Sequence, residues 1–279
     1  MGTQLKTYAS FIKFEHTIFS LPLIFAGALL HRHEWPSVSV TWLILVAAAG
    51  ARVMAMGLNR LIDAELDARN PRTQGRELPR GAMQRREAWL IVGVAGLVYL
   101  VSAAAIAPIC LQLSLIPVAL FVIYPYLKRF TSMAHLGLGI AWSTAPLAGW
   151  LAVSKSPTHF GEIGWLWLFS VLWVTGFDII YATMDEVFDR GAGLHSLPAQ
   201  VGSKHALRIA ALLHGVACLA LVALWNSQLR TPFALAWLVG IGVLLVWQHA
   251  IAARNPAVAF FQLNGLLGFL VLGFVATGV

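Results

Sequence analysis

Two sets of oxygen-bearing side chains recur at the same spacing in this sequence. The first motif consists of Asn59, Asp63 and Asp67. The second motif consists of Tyr181, Asp185 and Asp189. Residues within each motif are four apart, and the second motif follows the first at a constant distance of 122 residues. Such spacing puts side chains on one face of an α-helix, with a drift of roughly 40° per step. The motifs therefore predict two helices that each carry a row of oxygen ligands, and the constant distance indicates an internal duplication.

The carboxylates of both motifs are suited to a hard metal ion. Two acidic rows that face each other repel unless a cation lies between them. Neither motif has a cysteine or a pair of histidines beside it, so Mg²⁺ fits better than zinc or copper. Because Mg²⁺ usually bridges carboxylates to phosphate oxygens, a diphosphate is the expected third partner. The predicted metal ligands are Asp63, Asp67, Asp185 and Asp189.

Basic residues follow the first motif and the fourth apolar run of the chain. They are Arg72, Arg76, Lys128 and Arg129. Arginine and lysine bind phosphate oxygens through charge-assisted hydrogen bonds, so these side chains are predicted to hold the diphosphate. Arg52 lies two helical turns before Asn59. An arginine inside an apolar run needs an anionic partner, which makes Arg52 a further candidate for substrate binding.

The composition excludes a water-soluble domain. Hydrophobic residues make up 59% of the chain and charged residues 11%, against roughly 45–50% and about 25% in soluble domains. The chain is therefore predicted to be an all-α, polytopic membrane protein surrounded by lipid. The net charge of +7 does not require a nucleic-acid partner, because basic residues collect in the cytoplasmic segments of membrane proteins.

About nine apolar runs are long enough to cross a bilayer as helices. Their approximate limits are residues 11–30, 38–62, 88–107, 111–127, 133–153, 164–183, 206–225, 232–251 and 258–277. Turn-forming residues such as proline and serine separate the runs. No linker is long enough to divide the chain, so residues 1–279 are predicted to form a single transmembrane domain.

The distribution of basic residues predicts the orientation. With the N-terminus in the cytoplasm, 15 of the 19 Lys and Arg residues fall on the cytoplasmic side and three on the other side, as the positive-inside rule requires. Between the two motifs the chain crosses the membrane an even number of times. Both motifs are therefore predicted to share one site at the cytoplasmic face of a bacterial inner membrane.

The two acidic segments resemble a known family. Residues 59–67 resemble the N-x-x-x-D-x-x-x-D motif of the UbiA superfamily of intramembrane prenyltransferases, and residues 178–189 resemble its second motif. The resemblance implies a UbiA-like arrangement of helices around a central cavity. It also implies a Mg²⁺-dependent enzyme that joins a polyprenyl diphosphate to an acceptor within the bilayer.

Further segments narrow the resemblance to one branch. Residues 70–73 and 124–129 are most similar to the 4-hydroxybenzoate polyprenyltransferases of ubiquinone or menaquinone biosynthesis. Glu77 and His195 depart from many of those enzymes and resemble the branch associated with menaquinone made from futalosine, for which a dihydroxynaphthoate acceptor is the alternative. The aromatic acceptor therefore stays open at this point, whereas prenyl transfer is common to both alternatives.

The resemblance and the residue chemistry together give roles inside the membrane. The resemblance assigns Arg52 to the binding of the acceptor's carboxylate. The alternative is that Arg52 forms a structural ion pair with Asp178. Asp178 is expected to bind the acceptor hydroxyl or to orient Arg52. Departure of the diphosphate generates an allylic cation, which the electron-rich ring of Tyr181 would stabilise.

A transporter is the main alternative from another class of protein. Buried acidic residues and a duplicated fold are also features of carriers that move cations. A carrier would place its ionic residues near the middle of the bilayer, whereas both motifs here fall at the predicted ends of spans on one side. The sequence therefore favours an enzyme.

Overall fold

The computed structural model describes residues 2–12 and 20–279. Side chains are described for residues 7–12 and 20–279. These residues form α-helices and two short 3₁₀ helices, Phe160–Ile163 and Thr183–Asp185, and they contain no β-strand. The helices are α1 (Gly2–Ile12), α2 (Leu21–Arg32), α3 (Val38–Ile62), α4 (Ala64–Arg69), α5 (Arg85–Ile106), α6 (Pro108–Leu127), α7 (Ala134–Ser154), α8 (Gly164–Ala182), α9 (Glu186–Gly191), α10 (Leu197–Val201), α11 (Ser203–Gln228), α12 (Pro232–Ala252) and α13 (Pro256–Ala276). The predicted all-α fold is confirmed.

Eight helices in the described part of the chain are long and apolar enough to cross a membrane. They correspond to the second to ninth predicted runs, and the one that contains α8 extends over Phe160–Gly191. The first predicted run, residues 11–30, coincides in part with α1 and α2, and its residues 13–19 lie outside the described residues. The chain is an integral membrane protein.

Proline sets several helix boundaries. Pro108 follows Ala107, whose extended backbone separates α5 from α6. Pro232 and Pro256 are the first residues of α12 and α13, where a missing N–H costs no intrahelical hydrogen bond. These prolines therefore mark where one helix ends and the next begins.

The first compact unit contains α1, α3, α4, α5 and nearly all of α6. Within it, α3 packs along α5. A Cβ atom at Gly50 would lie 2.8 Å from the carbonyl oxygen of Ala95, so only glycine permits this approach of the two backbones. Phe11 of α1 joins Leu58 and Leu61 of α3 in the buried core. This core holds the end of α3, where the first motif begins.

The second compact unit contains α2 and α7 to α13. Here α2 and α7 touch through their backbones, because a Cβ at Gly27 or Gly149 would overlap the main chain of the other helix. Further on, α8 packs against α7 and α11. The indole N–H of Trp173 and the side-chain amide of Gln248 both donate to Asn264 Oδ1, at 3.0 and 2.9 Å. These hydrogen bonds join α8, α12 and α13, and so fix the helix at whose end the second motif begins. The prediction of a single domain over residues 1–279 stays a prediction.

Large apolar side chains point outward from several long helices. Leu90 and Leu97 on α5 and Leu212 and Leu219 on α11 are all exposed. Such faces would be unfavourable in water, and they match the hydrocarbon that surrounds a membrane-spanning helix.

Candidate active site

The first motif lies where α3 ends and α4 begins. Asp63 separates the two helices with φ −93° and ψ 3°. Its N–H donates to the Asn59 carbonyl at 2.9 Å, and the Asp67 N–H donates to the Asp63 carbonyl at 2.8 Å. The helix that was predicted to carry the first motif therefore breaks at Asp63. The hydrogen bonds between residues four apart nevertheless persist through the break.

The second motif repeats this local structure. Asp185 closes a 3₁₀ turn after α8 and precedes α9, with φ −111° and ψ 5°. The helices α4 and α9 each have six residues, and they begin and end 122 residues apart. The row predicted on the second helix is therefore interrupted at the equivalent residue. A shared break and a shared short helix support the predicted internal duplication.

The side chains of the first motif have protein partners. Asp67 is buried, and both of its carboxylate oxygens accept from Arg76 Nη1, at 2.9 and 2.7 Å. The amide of Asn59 donates to the Tyr124 hydroxyl at 2.9 Å. Asp63 is also buried, with 2% of its surface exposed. A predicted metal ligand and a predicted diphosphate-binding residue, Asp67 and Arg76, are thus paired with each other.

The loop after α4 is ordered by side-chain contacts with the backbone. Asn70 Oδ1 accepts from the Arg72 N–H at 2.9 Å, which is an Asx turn. The Thr73 hydroxyl donates to the Asp67 carbonyl at 3.1 Å. Arg72 itself is exposed. The sequence Asn-Pro-Arg-Thr thereby presents one arginine to solvent beside the first motif.

A buried ion pair connects this loop to α3. Arg60 and Glu77 have 5% and 4% of their surfaces exposed and are joined by a short hydrogen bond. The Arg60 guanidinium also lies 5.5 Å from the centre of the Phe11 ring. Burial disfavours the charged form of Glu77, but hydrogen bonds, including one from Ser10, and the charge of Arg60 outweigh it and lower its pKa. Glu77, noted in the sequence as a departure, is thus a structural partner.

In the second motif, Asp185 and Asp189 are both partly exposed. The neighbouring Glu186 has a structural role, because its carboxylate accepts from the Ser203 N–H at 3.0 Å and from Arg190 at 2.8 Å. A carboxylate near the N-terminus of a helix is stabilising. The Glu186 carboxylate, which belongs to α9, contacts the first residue of α11 in this way. This leaves Asp185 and Asp189 as the acidic candidates for ligand binding beyond α8.

Aromatic rings surround Tyr181, the first member of the second motif. The Tyr181 ring centre is 4.4 Å from that of Phe260 and 6.1 Å from that of Phe261. Phe177, one turn earlier on α8, also packs against Phe260 at 5.4 Å. Tyr181 is therefore part of an aromatic cluster that also includes Phe177, Phe260 and Phe261.

Asp178 contacts a histidine that the sequence did not single out. His135 Nδ1 lies 2.6 Å from Asp178 Oδ2. The two residues are 43 positions apart, so no local spacing signals the contact, and a lone histidine near the start of α7 gives no other indication. His135 is the clearest addition that the structure makes to the predicted site.

The remaining predicted residues are distributed between the two units. Arg52 lies within α3, where it is partly buried. Lys128 and Arg129 follow α6 at the start of the long segment of the second unit, and both are partly buried. The Lys128 carbonyl accepts from the His195 N–H at 2.7 Å. This hydrogen bond fixes the two basic residues against the segment that follows α9.

The donors fit a magnesium diphosphate complex better than a metal held by protein alone. Within the described residues, no three His, Cys, Asp or Glu side chains come together as a metal-binding group. What is present is one pair of aspartates per motif. Mg²⁺ typically takes only one or two carboxylates from a protein, together with water and phosphate oxygens of a substrate.

A multi-spanning helical membrane protein with two equivalent acidic turns is the class that this fold and site define. Within that class, the chain belongs to the UbiA prenyltransferase family, whose sequence model matches residues 20–269. By this membership it is a prenyltransferase, and the resemblance read from the two motifs is confirmed.

Relatives with assigned names match most of the chain. The 4-hydroxybenzoate octaprenyltransferase of Shewanella woodyi is 30% identical over 249 residues, which cover 88% of this chain and 85% of that protein. The enzyme of the same name from Coxiella burnetii is 32% identical over 262 residues, which cover 87% of this chain and 90% of the relative.

Solved structures share the fold. A UbiA homologue from Aeropyrum pernix K1 in its apo form has a TM-score of 0.85 and 33% sequence identity, covering 92% of this chain and 96% of that one. A UbiA homologue from Archaeoglobus fulgidus bound to GPP and Mg²⁺ has a TM-score of 0.73 and 20% identity, covering 98% and 100%. The second similarity supports the architecture alone.

Proposed function

We propose that this chain transfers a polyprenyl group from a polyprenyl diphosphate to an aromatic acid of the 4-hydroxybenzoate type. The observation that carries the proposal is the pair of equivalent acidic turns, which follow α3 and α8. The names of the Shewanella and Coxiella relatives support the aromatic acceptor. The reaction would serve membrane quinone biosynthesis, with the acidic turns at the cytoplasmic face of a bacterial inner membrane.

Both acidic turns would hold Mg²⁺ together with the diphosphate. The ligands would be Asp63, Asp67, Asp185 and Asp189, because carboxylate oxygens are donors that Mg²⁺ prefers. The Archaeoglobus homologue of the same fold is itself bound to GPP and Mg²⁺. When bound, Mg²⁺ supplies neutralisation of the charge that develops on the departing diphosphate.

Basic side chains of the chain would bind the diphosphate oxygens. Arg72 is exposed, and Lys128 and Arg129 are partly exposed. Arg76 is held by Asp67, so it must exchange that carboxylate for a phosphate oxygen when the substrate arrives. The exchange would free Asp67 for the metal at the same moment, which couples the two binding events.

The chemical step breaks the C–O bond between the allylic carbon and the diphosphate. Tyr181, within its aromatic cluster, would face the resulting cation and exclude water from it. The aromatic carbon beside the acceptor hydroxyl then forms the new C–C bond. The ring proton passes to a base, which restores the aromatic ring and balances the departing diphosphate anion.

The acceptor would be held at both ends of its ring. Arg52 would bind the carboxylate, and Asp178 would bind the hydroxyl. This assignment explains why an arginine lies within a membrane-spanning helix, where an anionic partner offsets the cost of its charge.

Replacing Arg52 by alanine is expected to raise the KM for the aromatic acid about ten- to hundredfold, because a hydrogen bond to a charged group contributes about 1.5–3 kcal/mol. The KM for the prenyl diphosphate should change little. Arg52→Lys should recover only part of the loss, since an ammonium cannot make the bidentate contact. Steady-state kinetics in membrane vesicles measure both constants. An equal rise in both KM values would remove Arg52 from the acceptor site.

The proposed reaction itself is tested with vesicles that contain the purified chain. Given a polyprenyl diphosphate, Mg²⁺ and 4-hydroxybenzoate, they should release diphosphate and form the prenylated acid in equal amounts. A dihydroxynaphthoate in place of 4-hydroxybenzoate tests the alternative acceptor, which the departures at Glu77 and His195 favour. Cation flux across the vesicles without any prenylated product would instead identify a transporter.

A further inference from the structure

His135 contacts both α8 and the start of α10 in the second unit. It lies in the first turn of α7 and has 5% of its surface exposed. Its Nδ1 is 2.6 Å from Asp178 Oδ2 on α8. Its Nε2 is 3.1 Å from the backbone nitrogen of Leu197, the first residue of α10. One imidazole ring therefore connects three helices.

The contact with Leu197 fixes the position of the histidine proton. A backbone N–H can only donate, so Nε2 must offer its lone pair and carry no proton. A neutral imidazole then has its proton on Nδ1, which donates to the Asp178 carboxylate. A doubly protonated ring would turn an Nε2 proton toward the Leu197 N–H, which this geometry disfavours.

We propose that His135 is a positioning residue that fixes Asp178 for the aromatic acceptor. This inference rests on the proposed function, in which Asp178 binds the acceptor hydroxyl. Within the described residues of the second unit, His135 makes the polar contact to Asp178, and it uses one oxygen, Oδ2. The other oxygen, Oδ1, then points in a fixed direction and accepts the hydrogen bond from the hydroxyl.

The neutral state of His135 matters for this role. A neutral donor orients the carboxylate and leaves its negative charge in place, whereas a cationic donor would neutralise it. A full negative charge at Asp178 strengthens the hydrogen bond from the hydroxyl. That hydrogen bond increases electron density on the neighbouring ring carbon, where the new C–C bond forms.

The same ring also fixes the chain after the second motif. Ser196 precedes α10 without capping it through its side chain, and the Leu197 N–H is instead satisfied by His135. The adjacent His195 N–H donates to the Lys128 carbonyl. A change at His135 therefore acts on Asp178 and on the segment beside Lys128, and the test must separate these two effects.

Matched variants separate them. Asparagine places its amide nitrogen where Nδ1 stands, so His135→Asn keeps a donor for Asp178. Glutamine places its amide near Nε2, so His135→Gln loses that donor, and His135→Leu loses both contacts.

We expect His135→Leu and His135→Gln to raise the acceptor KM about ten- to hundredfold, with the prenyl diphosphate KM within about twofold of wild type. His135→Asn should recover most of the acceptor KM. The exposed His205→Asn is the control and should change neither constant.

A double-mutant cycle with Asp178→Asn tests whether His135 acts through Asp178. If it does, adding His135→Leu to Asp178→Asn should cause no further loss, because coupled residues are not additive. Fully additive losses, an unchanged acceptor KM in His135→Leu, or equal losses for both substrates would each overturn the proposal.

Nitrogen NMR of histidine-labelled protein in nanodiscs keeps this inference separate from the proposed reaction. The resonances that disappear in His135→Asn should belong to a ring protonated at Nδ1 and unprotonated at Nε2, and they should shift in Asp178→Asn. A ring protonated at Nε2, or one that does not respond to Asp178→Asn, would overturn the role of His135 whatever the activity. Absence of prenylated product from the wild-type chain would overturn the proposed function instead.

Discussion

Replacing Asp63 or Asp185 by alanine is expected to lower turnover by about 100- to 1,000-fold, the usual effect of removing one preorganised electrostatic group from a reaction centre. The folded protein should still accumulate in the membrane, because each aspartate lies at a helix break rather than in an apolar core. Diphosphate release from vesicles measures turnover, and thermal unfolding in detergent measures stability. Activity within threefold of wild type in either variant would contradict the proposed role of the two motifs.

Glu65 provides the matched control for Asp63. It lies two residues away on α4 and is exposed, so Glu65→Ala removes one negative charge from the same helix without touching a proposed ligand. We expect its turnover to stay near that of wild type.

Excess EDTA should stop the reaction of the wild-type chain, and added Mg²⁺ should restore it.

The second large effect concerns stability. Glu77→Ala leaves the Arg60 guanidinium buried without its carboxylate, which should lower the free energy of unfolding by about 3–5 kcal/mol. Replacing both residues by apolar ones of similar size, as in Arg60→Met with Glu77→Leu, should restore much of the loss. Thermal unfolding in detergent measures both variants. A Glu77→Ala variant as stable as wild type would mean that the buried pair contributes nothing.

The pair should also respond to acid. The folded-state pKa of Glu77 lies below its ordinary value of 4.5. Its contribution to stability is therefore complete above that pH and is lost as the pH falls through the lower folded-state value. The acid sensitivity of unfolding should be weaker in the doubly apolar variant than in wild type.

Hydropathy predicted most helices well and failed at their polar ends. The run 38–62 has the same limits as α3, whereas α11 extends past both ends of the run 206–225. Its additional residues include Ser203, Lys204 and Gln228, which are polar and yet remain helical. A hydropathy pattern cannot distinguish a helix that continues into a polar boundary from one that stops there.

The motif spacing predicted the right residues but an incomplete local structure. Regular spacing in a sequence describes an ideal helix, and it gives no sign that Asp63 and Asp185 each interrupt one. The motif spacing also could not predict ion pairs between residues that are distant in the sequence. Arg76 with Asp67 and Arg60 with Glu77 depend on how the loop after α4 folds back, which is decided by contacts rather than by periodicity.

The backbone contact between α2 and α7 has a consequence for biosynthesis. The ribosome makes α2 first and then all of α3, α4, α5 and α6 before α7 emerges. During this interval Gly27 lacks the backbone of α7 that it contacts in the folded chain. The second unit is therefore assembled from an early and a late segment of the nascent chain. A translation pause before α7 would prolong the life of an inserted but incomplete intermediate.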